Sequence, residues 1–165
     1  MRPLKRLTLL RHAKAQQDSG GLADRERALT ERGEQDAPLM GRRLRETGAR
    51  PSLIITSPAV RALQTARLLA REIGYPLEFL QREADLYLAP PDDILAVISR
   101  QDDAFKDLLV CGHNPGLTQL AGLLTGRALE DIPPCGLVVI EAAVDSWTGL
   151  RSGTLRHYET PRPQG

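Results

Sequence analysis

Leu7-Thr8-Leu9-Leu10-Arg11-His12-Ala13-Lys14 is the stretch that decides the fold, because a strand-length apolar run leads directly into charged side chains. The run predicts a buried strand over residues 6–10. In open α/β sheets, ligands bind in the crevice beyond the carboxyl ends of the strands. Arg11 and His12 leave the predicted strand at that end, so both are candidates for a binding or catalytic site.

The two residue types indicate what such a site would bind. An imidazole can act as a nucleophile, a base or a metal ligand. The guanidinium of Arg11 indicates an anion, because its planar fork matches the oxygens of phosphate or carboxylate. Taken alone, the dipeptide is more often a surface arginine beside a core histidine, since short motifs match by chance.

Two distant segments repeat this arrangement of polar residues after a strand. The sequence Ser57-Pro58-Ala59-Val60-Arg61 follows the apolar run Leu53-Ile54-Ile55, and Gly112-His113-Asn114-Pro115 follows a third predicted strand. Arg61 lies in the first turn of a predicted helix, where helix N-termini attract anions. Asn114 is a good helix-capping residue, and beside that helix start it is also a candidate phosphate ligand. We therefore expect the three polar clusters to converge on one crevice.

The predicted elements alternate between strands and helices along the whole chain. Strands are predicted over residues 6–10, 51–56, 76–80, 108–111, 135–141 and 154–158, and helices are predicted to begin near residues 30, 57, 92 and 115. This alternation predicts an α/β fold, a single domain of three layers, α/β/α, with a mostly parallel central sheet covered on both faces. The domain is expected to span residues 1–159, and the proline-rich tail over residues 160–165 is expected to be disordered.

Composition narrows the function classes. The chain has 165 residues, of which 41% are hydrophobic and 26% are charged, and its formal net charge is +1. That balance is ordinary for a globular protein and gives no support to a role at nucleic acid or at a membrane surface. No apolar stretch approaches the roughly 20 residues that span a bilayer, and the first residues lack a signal-peptide pattern. The expected location is the cytoplasm.

The two cysteines are expected to be small buried hydrophobic residues. Cys111 and Cys135 lie on separate predicted strands, and their spacing is not that of a zinc site. The sequence leaves open whether the two thiols are close enough in space to form a disulfide.

Two histidines and several arginines at one site, without a carboxylate cluster, favour phosphoryl chemistry over metal chemistry. Phosphoryl transfer requires a substrate held in line and neutralisation of its equatorial oxygens. Arginines supply that charge in forked geometry. A neutral imidazole can attack phosphorus and form a phosphohistidine, and a second, protonated histidine can donate to the phosphoryl oxygens. The sequence therefore predicts neither a metal nor another cofactor.

In the order, spacing and strand-end placement of these three segments, the chain resembles the histidine phosphatase superfamily, also called the phosphoglycerate mutase-like family. It is most similar to the small phosphohistidine phosphatases of the SixA type. The resemblance implies that His12 is the nucleophile that becomes phosphorylated. It further implies that Arg11 and Arg61 bind the phosphoryl group and that His113 completes the pocket. Arg27 resembles a further phosphate-binding arginine of the small members.

Two departures from the family pattern bear on the chemistry. The commonest signature has glycine after the histidine, and Ala13 in its place is familiar in the SixA-like branch. Larger members use a clear glutamate as general acid, whereas this chain offers Glu83, Asp85 and Asp24 as candidates. A phosphohistidine substrate reduces the need for a strong acid, because its nitrogen is a good leaving group.

The leading hypothesis is a phosphatase that acts on phosphohistidine in a protein. The chain lacks the large insertions that cap the site in sugar-phosphate-acting and phytate-acting relatives. An open site suits a phosphorylated protein side chain at least as well as a small metabolite. The first alternative is a phosphatase of a small phosphomonoester or nucleotide metabolite. A non-catalytic phosphate-binding module is the second, although a mere binder has no need to keep a nucleophile.

Overall fold

The computed structural model describes residues 4–17 and 21–162, and within them the chain forms one six-stranded sheet with four α-helices. The strands are β1 (Leu4–Arg11), β2 (Leu53–Thr56), β3 (Gln81–Arg82), β4 (Asp107–Gly112), β5 (Leu137–Ala143) and β6 (Thr154–Glu159). The helices are α1 (Glu31–Glu46), α2 (Val60–Ile73), α3 (Pro91–Ser99) and α4 (Gly116–Thr125). None of the helices in this described part of the chain is long and apolar enough to cross a membrane.

The strand order places the ends of the motif-bearing strands side by side. In the order β3-β2-β4-β1-β5-β6, the pairings of β3 with β2, β2 with β4 and β4 with β1 are parallel. Strand β5 is antiparallel to β1, and β6 is antiparallel to β5. The register aligns Arg11 with Gly112 and Thr56 with Cys111, so β1, β4 and β2 end at one edge of the sheet. The mostly parallel sheet expected from the sequence is confirmed.

Helices cover both faces of this sheet, because the buried strands alternate their apolar side chains between the two faces. In β1, Leu7 and Leu9 pack with α3 and α4, whereas Leu10 packs with α1 and α2. Strand β2 repeats the pattern, with Ile55 on the first face and Ile54 on the second. The expected three-layer α/β/α arrangement is therefore confirmed.

The start of α1 is packed against the loop that follows β1. Thr30 caps the helix, and its hydroxyl accepts a hydrogen bond from the Gly33 N–H at 3.1 Å. The Thr30 N–H in turn donates to the Lys14 carbonyl at 2.9 Å. A Cβ on residue 33 would lie 2.4 Å from that carbonyl oxygen, so only glycine allows this approach. The contact holds the loop immediately after His12 in place.

Several element boundaries differ from the sequence predictions. The strand expected over residues 76–80 is instead a 3₁₀ turn, Leu77–Phe79, and the paired strand that follows is only Gln81–Arg82. A short apolar run fits either form, and the pairing with β2 decides where the strand lies. The helix expected from Ser57-Pro58 begins at Val60, because the serine hydroxyl is used within the preceding turn.

The turn before β5 holds the second cysteine. The strand expected over residues 135–141 begins after this turn, because Cys135 has a left-handed backbone conformation, with a φ of 64°, that does not fit a strand. Its N–H donates to the carbonyls of Arg11 and His12 at 3.1 and 3.0 Å and ties the turn to the end of β1. Cys135 and Cys111 are buried free thiols, and burial raises the pKa of each.

The tail expected to be disordered over residues 160–165 is packed against the domain at its first three residues. Pro161 is buried, and Arg162 forms an ion pair with Asp36 of α1 at 3.0 Å. A proline-rich, polar composition predicts disorder only where no such contacts form, and these contacts depend on the fold. Residues 163–165 lie outside the described residues.

Candidate active site

The three strand ends converge on one cavity of about 370 Å³. Its lining includes the side chains that the sequence singles out as nucleophile, phosphate ligands and third acid candidate: Arg11, His12, Asp24, Arg27, Arg61, His113 and Asn114. Lys14 lines it as well, so four cationic side chains surround the cavity against one carboxylate. This excess of positive charge suits the cavity to an anion.

His12 presents a neutral imidazole with one free ring nitrogen. Its Nδ1 lies 2.8 Å from the Ala13 carbonyl oxygen, and because a carbonyl can only accept, Nδ1 carries the proton. Nε2 therefore carries the lone pair, and it makes no hydrogen bond to a described residue. Burial, helped by the charges of Arg61 and Arg11, lowers the pKa of His12 to about 4. The ring is thus neutral near pH 7 and can act as a nucleophile.

His113 is only 2% exposed, and both of its ring nitrogens contact other side chains. Arg61 Nη2, which can only donate, lies 3.5 Å from Nδ1, so Nδ1 is the acceptor. Nε2–H then donates to the Ser57 hydroxyl at 2.8 Å. Burial, with the neighbouring His12 and Arg61 adding to it, lowers the pKa of His113 to about 3. A bound anion would oppose this effect, because negative charge favours the protonated ring.

The two imidazoles lie close enough to contact the same small anion. Their centroids are 5.3 Å apart and their planes are tilted by 57°. The ring of Tyr87 packs edge-on against His113, with centroids 5.5 Å apart and an angle of 88°. This contact and the Ser57 hydrogen bond hold the His113 ring in one orientation.

Arg61 and Arg11 are held beside the cavity at a cost in stability. Arg61 is 2% exposed, and its Nη1 and Nη2 donate to the Asp24 carbonyl and carboxylate at 2.8 and 3.0 Å. Arg11 Nη1 donates to the Ile132 carbonyl at 2.9 Å. The Nε–H of each arginine is buried without an acceptor among the described residues. Each guanidinium therefore keeps a buried donor that no described side chain uses, beside a cavity suited to an anion.

Asp24 joins two arginines of the site through its carboxylate. Oδ1 accepts from Arg27 Nε and Nη2 at 3.1 and 2.8 Å, and Oδ2 accepts from Arg61 Nη2 at 3.0 Å. The Tyr87 hydroxyl also donates to Oδ2. These hydrogen bonds, that from Tyr87 above all, hold the pKa of Asp24 well below its usual range despite the effect of burial. In this state Asp24 is an ionised bridge between Arg27 and Arg61.

Glu83 and Asp85, the other two candidates for a general acid, do not line the cavity. Both pair with Arg100, at 2.9 and 3.2 Å, and the Asp85 side chain is 62% exposed. Glu83 also accepts from the Asp85 N–H at 3.3 Å and caps a short 3₁₀ turn. Contrary to the sequence-based expectation, these carboxylates are held in surface ion pairs, because the turn directs them to Arg100.

Asn114 lines the cavity, but the fold already occupies its side chain. Oδ1 accepts from the Thr118 N–H and hydroxyl at 3.1 and 2.9 Å, and Nδ2 donates to the Ile132 carbonyl at 2.9 Å. The capping role expected of this residue matches these contacts. Its expected role as a phosphate ligand stays a prediction, because the side-chain amide already donates to the Ile132 carbonyl.

Three residues of the site were not singled out as functional by the sequence: Ser57, Tyr87 and Lys14. Ser57 directly follows β2, so the same strand-end rule that selects Arg11 also applies to it. Tyr87 lies 63 positions from Asp24 in the chain, and no local pattern pairs them. Lys14 is exposed and lies within the loop that Gly33 and Thr30 hold in place.

Comparison with known proteins assigns the family. A sequence profile of the histidine phosphatase superfamily (branch 1) matches residues 7–86. A solved structure from Agrobacterium tumefaciens, provisionally assigned as the phosphohistidine phosphatase SixA, aligns with a TM-score of 0.81 at 26% identity. The alignment covers 95% of this chain and 98% of that chain. The chain belongs to the histidine phosphatase superfamily.

Two further relatives align with this chain over nearly its whole length. The protein histidine phosphatase SixA complexed with tungstate has the same fold, with a TM-score of 0.77 at 21% identity, over 94% of this chain and 97% of that one. The uncharacterized protein Rv1276c of Mycobacterium tuberculosis (strain H37Rv) is 32% identical over 165 positions, which cover 93% of this chain and 100% of the relative. The resemblance to SixA-type members and the phosphoglycerate mutase-like fold are confirmed.

The lowered histidine pKa values predict that this histidine phosphatase superfamily member loses stability in mild acid. Below about pH 6.5 the unfolded chain protonates His12 and His113, whereas the folded site keeps them neutral down to about pH 4. Each ring should therefore lower the free energy of unfolding by about 1 kcal/mol per pH unit as the pH falls through this window. Asp24, with its lowered pKa, contributes only below that window.

The measurement is the free energy of unfolding by denaturant between about pH 4.5 and 6.5. In His113→Gln this free energy should change with pH roughly half as steeply as in the native chain. A slope that is unchanged in His113→Gln would contradict a neutral, buried ring at this position.

Proposed function

We propose that this protein is a phosphatase that hydrolyses phosphohistidine in a protein, through a covalent intermediate on His12. Members of the superfamily are phosphatases, which supports the reaction class. The observation that carries the proposal further is the free Nε2 of a neutral His12, in a cavity lined by Arg11, Arg27, Arg61 and Lys14. A nucleophile within a shell of positive charge is what phosphoryl transfer requires.

In the first half-reaction, the lone pair of His12 Nε2 attacks phosphorus in line with the bond to the substrate nitrogen. A P–N bond forms to His12 while the substrate P–N bond breaks. The electron pair leaves with the substrate imidazole, which departs as a neutral ring because its other nitrogen carries a proton. The His12 ring gains positive charge, and the hydrogen bond from Nδ1–H to the Ala13 carbonyl stabilises that charge.

The arginines act on the oxygens of the transferred group. Arg11 and Arg61 neutralise charge on the three equatorial oxygens as the group passes between the two nitrogens. The dianion also favours protonation of His113, which then donates from Nδ1 to a phosphoryl oxygen. Because both arginines are already held by the Ile132 and Asp24 carbonyls, little reorganisation is needed at the moment of reaction.

In the second half-reaction, water attacks the phosphoryl group on His12. The P–N bond breaks, its electron pair returns to Nε2, and the protons of water remain with the product, dihydrogen phosphate. His12 is regenerated as the neutral ring with Nδ1 protonated, so the cycle closes without a further proton donor.

Asp24 competes with the substrate phosphate in the free enzyme. Its carboxylate occupies hydrogen bonds of Arg27 and Arg61 that an incoming phosphoryl group requires. A dianion that displaces the carboxylate from Arg27 and Arg61 removes two of the donors that lower its pKa and adds negative charge beside it, while the Tyr87 hydroxyl stays bound. The loss of these donors and the added charge both raise the pKa of Asp24. A substrate with a poor leaving group depends on Asp24 for a proton, whereas phosphohistidine does not.

Asp24→Asn is expected to tighten phosphate binding and to slow poor substrates selectively. The amide removes the competing charge, so the inhibition constant of inorganic phosphate should fall by about tenfold. Turnover of an alkyl phosphate should fall by about a hundredfold, because its oxygen leaving group needs a proton. Phosphohistidine should be affected far less. Glu83→Gln, on the surface, is the control and should change none of these values, and an equal loss on every substrate would reduce Asp24 to a structural role.

The choice of phosphohistidine depends on the leaving group and on the size of the cavity. Asp24 is the one carboxylate in the lining, among the residues described, and it is ion-paired, so a substrate that needs no acid is favoured. The cavity of about 370 Å³ is near the lower limit of small-molecule sites, roughly 300 to 1,000 Å³. A phosphorylated side chain suits it better than a large metabolite.

Turnover of p-nitrophenyl phosphate, a phosphohistidine peptide and a sugar phosphate tests this function. All three rates are measured with a metal chelator present, because the sequence predicts that no metal is required. The highest kcat/KM is expected for the phosphohistidine peptide. A preference for the sugar phosphate would favour a metabolite phosphatase, and hydrolysis of none would favour a binding module. Loss of activity with chelator that magnesium or zinc restores would contradict the prediction on metals.

A further inference from the structure

A second cavity lies next to the phosphoryl site. It has a volume of about 450 Å³ and shares two lining residues, Lys14 and Pro134, with the cavity that contains His12. We call this second cavity the flanking groove, and the other residues used below to describe it are Arg32, Asp36, Pro161 and Arg162. The two cavities are therefore neighbours, with Lys14 and Pro134 in the wall of each.

The walls of the flanking groove are held in place relative to His12. On one side, the close approach of Gly33 to the Lys14 carbonyl places α1 against the loop after β1. On another, the turn that contains Pro134 is tied to the carbonyl of His12 by the Cys135 N–H at 3.0 Å. A groove whose walls are positioned before a ligand arrives loses little entropy on binding.

The C-terminal segment over residues 160–162 closes the groove. The Thr160 carbonyl accepts a hydrogen bond from Arg43, and Arg162 pairs with Asp36 at 3.0 Å. Both partners belong to α1, so the segment is attached at two points. The proline walls carry no backbone N–H, and the groove therefore offers side-chain contacts and no strand pairing.

The charge of the flanking groove is positive and partly uncompensated. Lys14 and Arg32 are exposed, and neither forms an ion pair within the part of the chain that is described. Arg162 and Asp36 compensate each other. Two free cations beside an apolar proline wall favour an extended ligand that carries negative charge along its length.

We propose that the flanking groove binds the polypeptide next to the phosphorylated residue and selects substrates with acidic side chains on that side. The inference rests on the proposed function, because the groove lies next to the site at His12. A polypeptide is favoured over a small metabolite, because a chain that carries a phosphorylated side chain has neighbouring residues that can reach the adjacent cavity of about 450 Å³ and its two unpaired cations. Arg32 is the specificity residue, since it lines only the flanking groove.

The test compares Arg32→Glu with the native chain on three substrates. They are p-nitrophenyl phosphate, which fills only the phosphoryl site, and two phosphohistidine peptides of equal length with either aspartate or asparagine beside the phosphorylated residue. Arg67→Glu is the matched control, because Arg67 is an exposed arginine of α2 that lines neither cavity. Glutamate at position 32 lies in the first turn of α1, where an acidic side chain is favourable, so the variant should fold.

Arg32→Glu is expected to lower kcat/KM for the aspartate peptide by about tenfold. The attraction between Arg32 and the aspartate of the peptide raises kcat/KM by up to about fivefold, and the substitution replaces it with a repulsion. The asparagine peptide and p-nitrophenyl phosphate should change by less than about twofold, and Arg67→Glu should leave all three unchanged. The aspartate peptide should lose its advantage in high salt.

Each other outcome overturns the inference. Equal rates for the two peptides with the native chain, or equal losses on both in Arg32→Glu, would mean that the groove selects no acidic residue. Failure of the native chain to hydrolyse either phosphohistidine peptide would instead contradict the proposed function itself, so the two failures are distinguishable.

Discussion

His12→Ala is expected to abolish hydrolysis, with kcat lower by at least about a thousandfold, because the variant lacks the atom that attacks phosphorus. The fold should survive, since the hydrogen bond of the ring reaches only the adjacent Ala13 carbonyl and the residue follows the end of β1. The Tm at neutral pH should therefore change little. Retention of more than a few per cent of the native activity would exclude His12 as the nucleophile.

A trapped phosphoenzyme would give independent evidence on whether His12 Nε2 is the nucleophile. Rapid quenching should yield a phosphoenzyme that is labile in acid and stable in base, as a P–N bond is, and it should map to the peptide carrying His12. His113→Ala should slow both formation and breakdown of this adduct, because in the proposed mechanism His113 donates to a phosphoryl oxygen in either step. An acid-stable adduct, or one on Ser57, would contradict the mechanism and leave the fold assignment intact.

Arg61→Ala is expected to have the second largest effect, a loss of about 3 kcal/mol of transition-state stabilisation, or roughly a hundredfold in turnover. The inhibition constant of vanadate should rise as well, because the variant lacks a positioned charge for the oxyanion. Stability should fall less, since the lost hydrogen bonds to Asp24 are offset in part by removal of a buried charge. The side chain thus contributes more to the site than to the core.

Two further variants separate charge from geometry at this position. Arg61→Lys should recover only part of the activity, because an ammonium group cannot reproduce the two donors that now bind the Asp24 carbonyl and carboxylate. Arg67→Ala, an exposed arginine on the same helix, should leave turnover and vanadate inhibition unchanged. An unchanged vanadate constant in Arg61→Ala would place Arg61 outside the phosphoryl pocket.

Much of the site was predictable because its key residues sit directly at the ends of strands. Arg11 and His12 follow β1, and His113 follows β4, so their chain positions and the parallel pairing of these strands bring them together. Arg61 was predictable for a related reason, since it lies in the first turn of the helix after β2. In each case a local pattern and one topological rule were sufficient.

The acid candidates show where this reasoning fails. Glu83 and Asp85 lie in the segment where larger relatives carry their acid, yet Arg100 holds both on the surface. Asp24 reaches the cavity because Arg61 and Tyr87 bind its carboxylate, and both are distant from it in the chain. Side-chain pairing of this kind depends on packing between elements, which no local periodicity encodes.

The sequence by itself determined the class of fold and the order of most of its elements, and it singled out the strand-end residues that we propose as nucleophile and phosphate ligands. These follow from hydrophobic periodicity and from strand ends, which are properties of short segments. Only the tertiary structure decided the tautomers and lowered pKa values of the two histidines, the ion-paired state of Asp24 and the presence of a second cavity beside Lys14. Those features depend on burial, on distances between distant segments and on the attachment of residues 160–162 to α1, and such quantities exist only once the chain has folded.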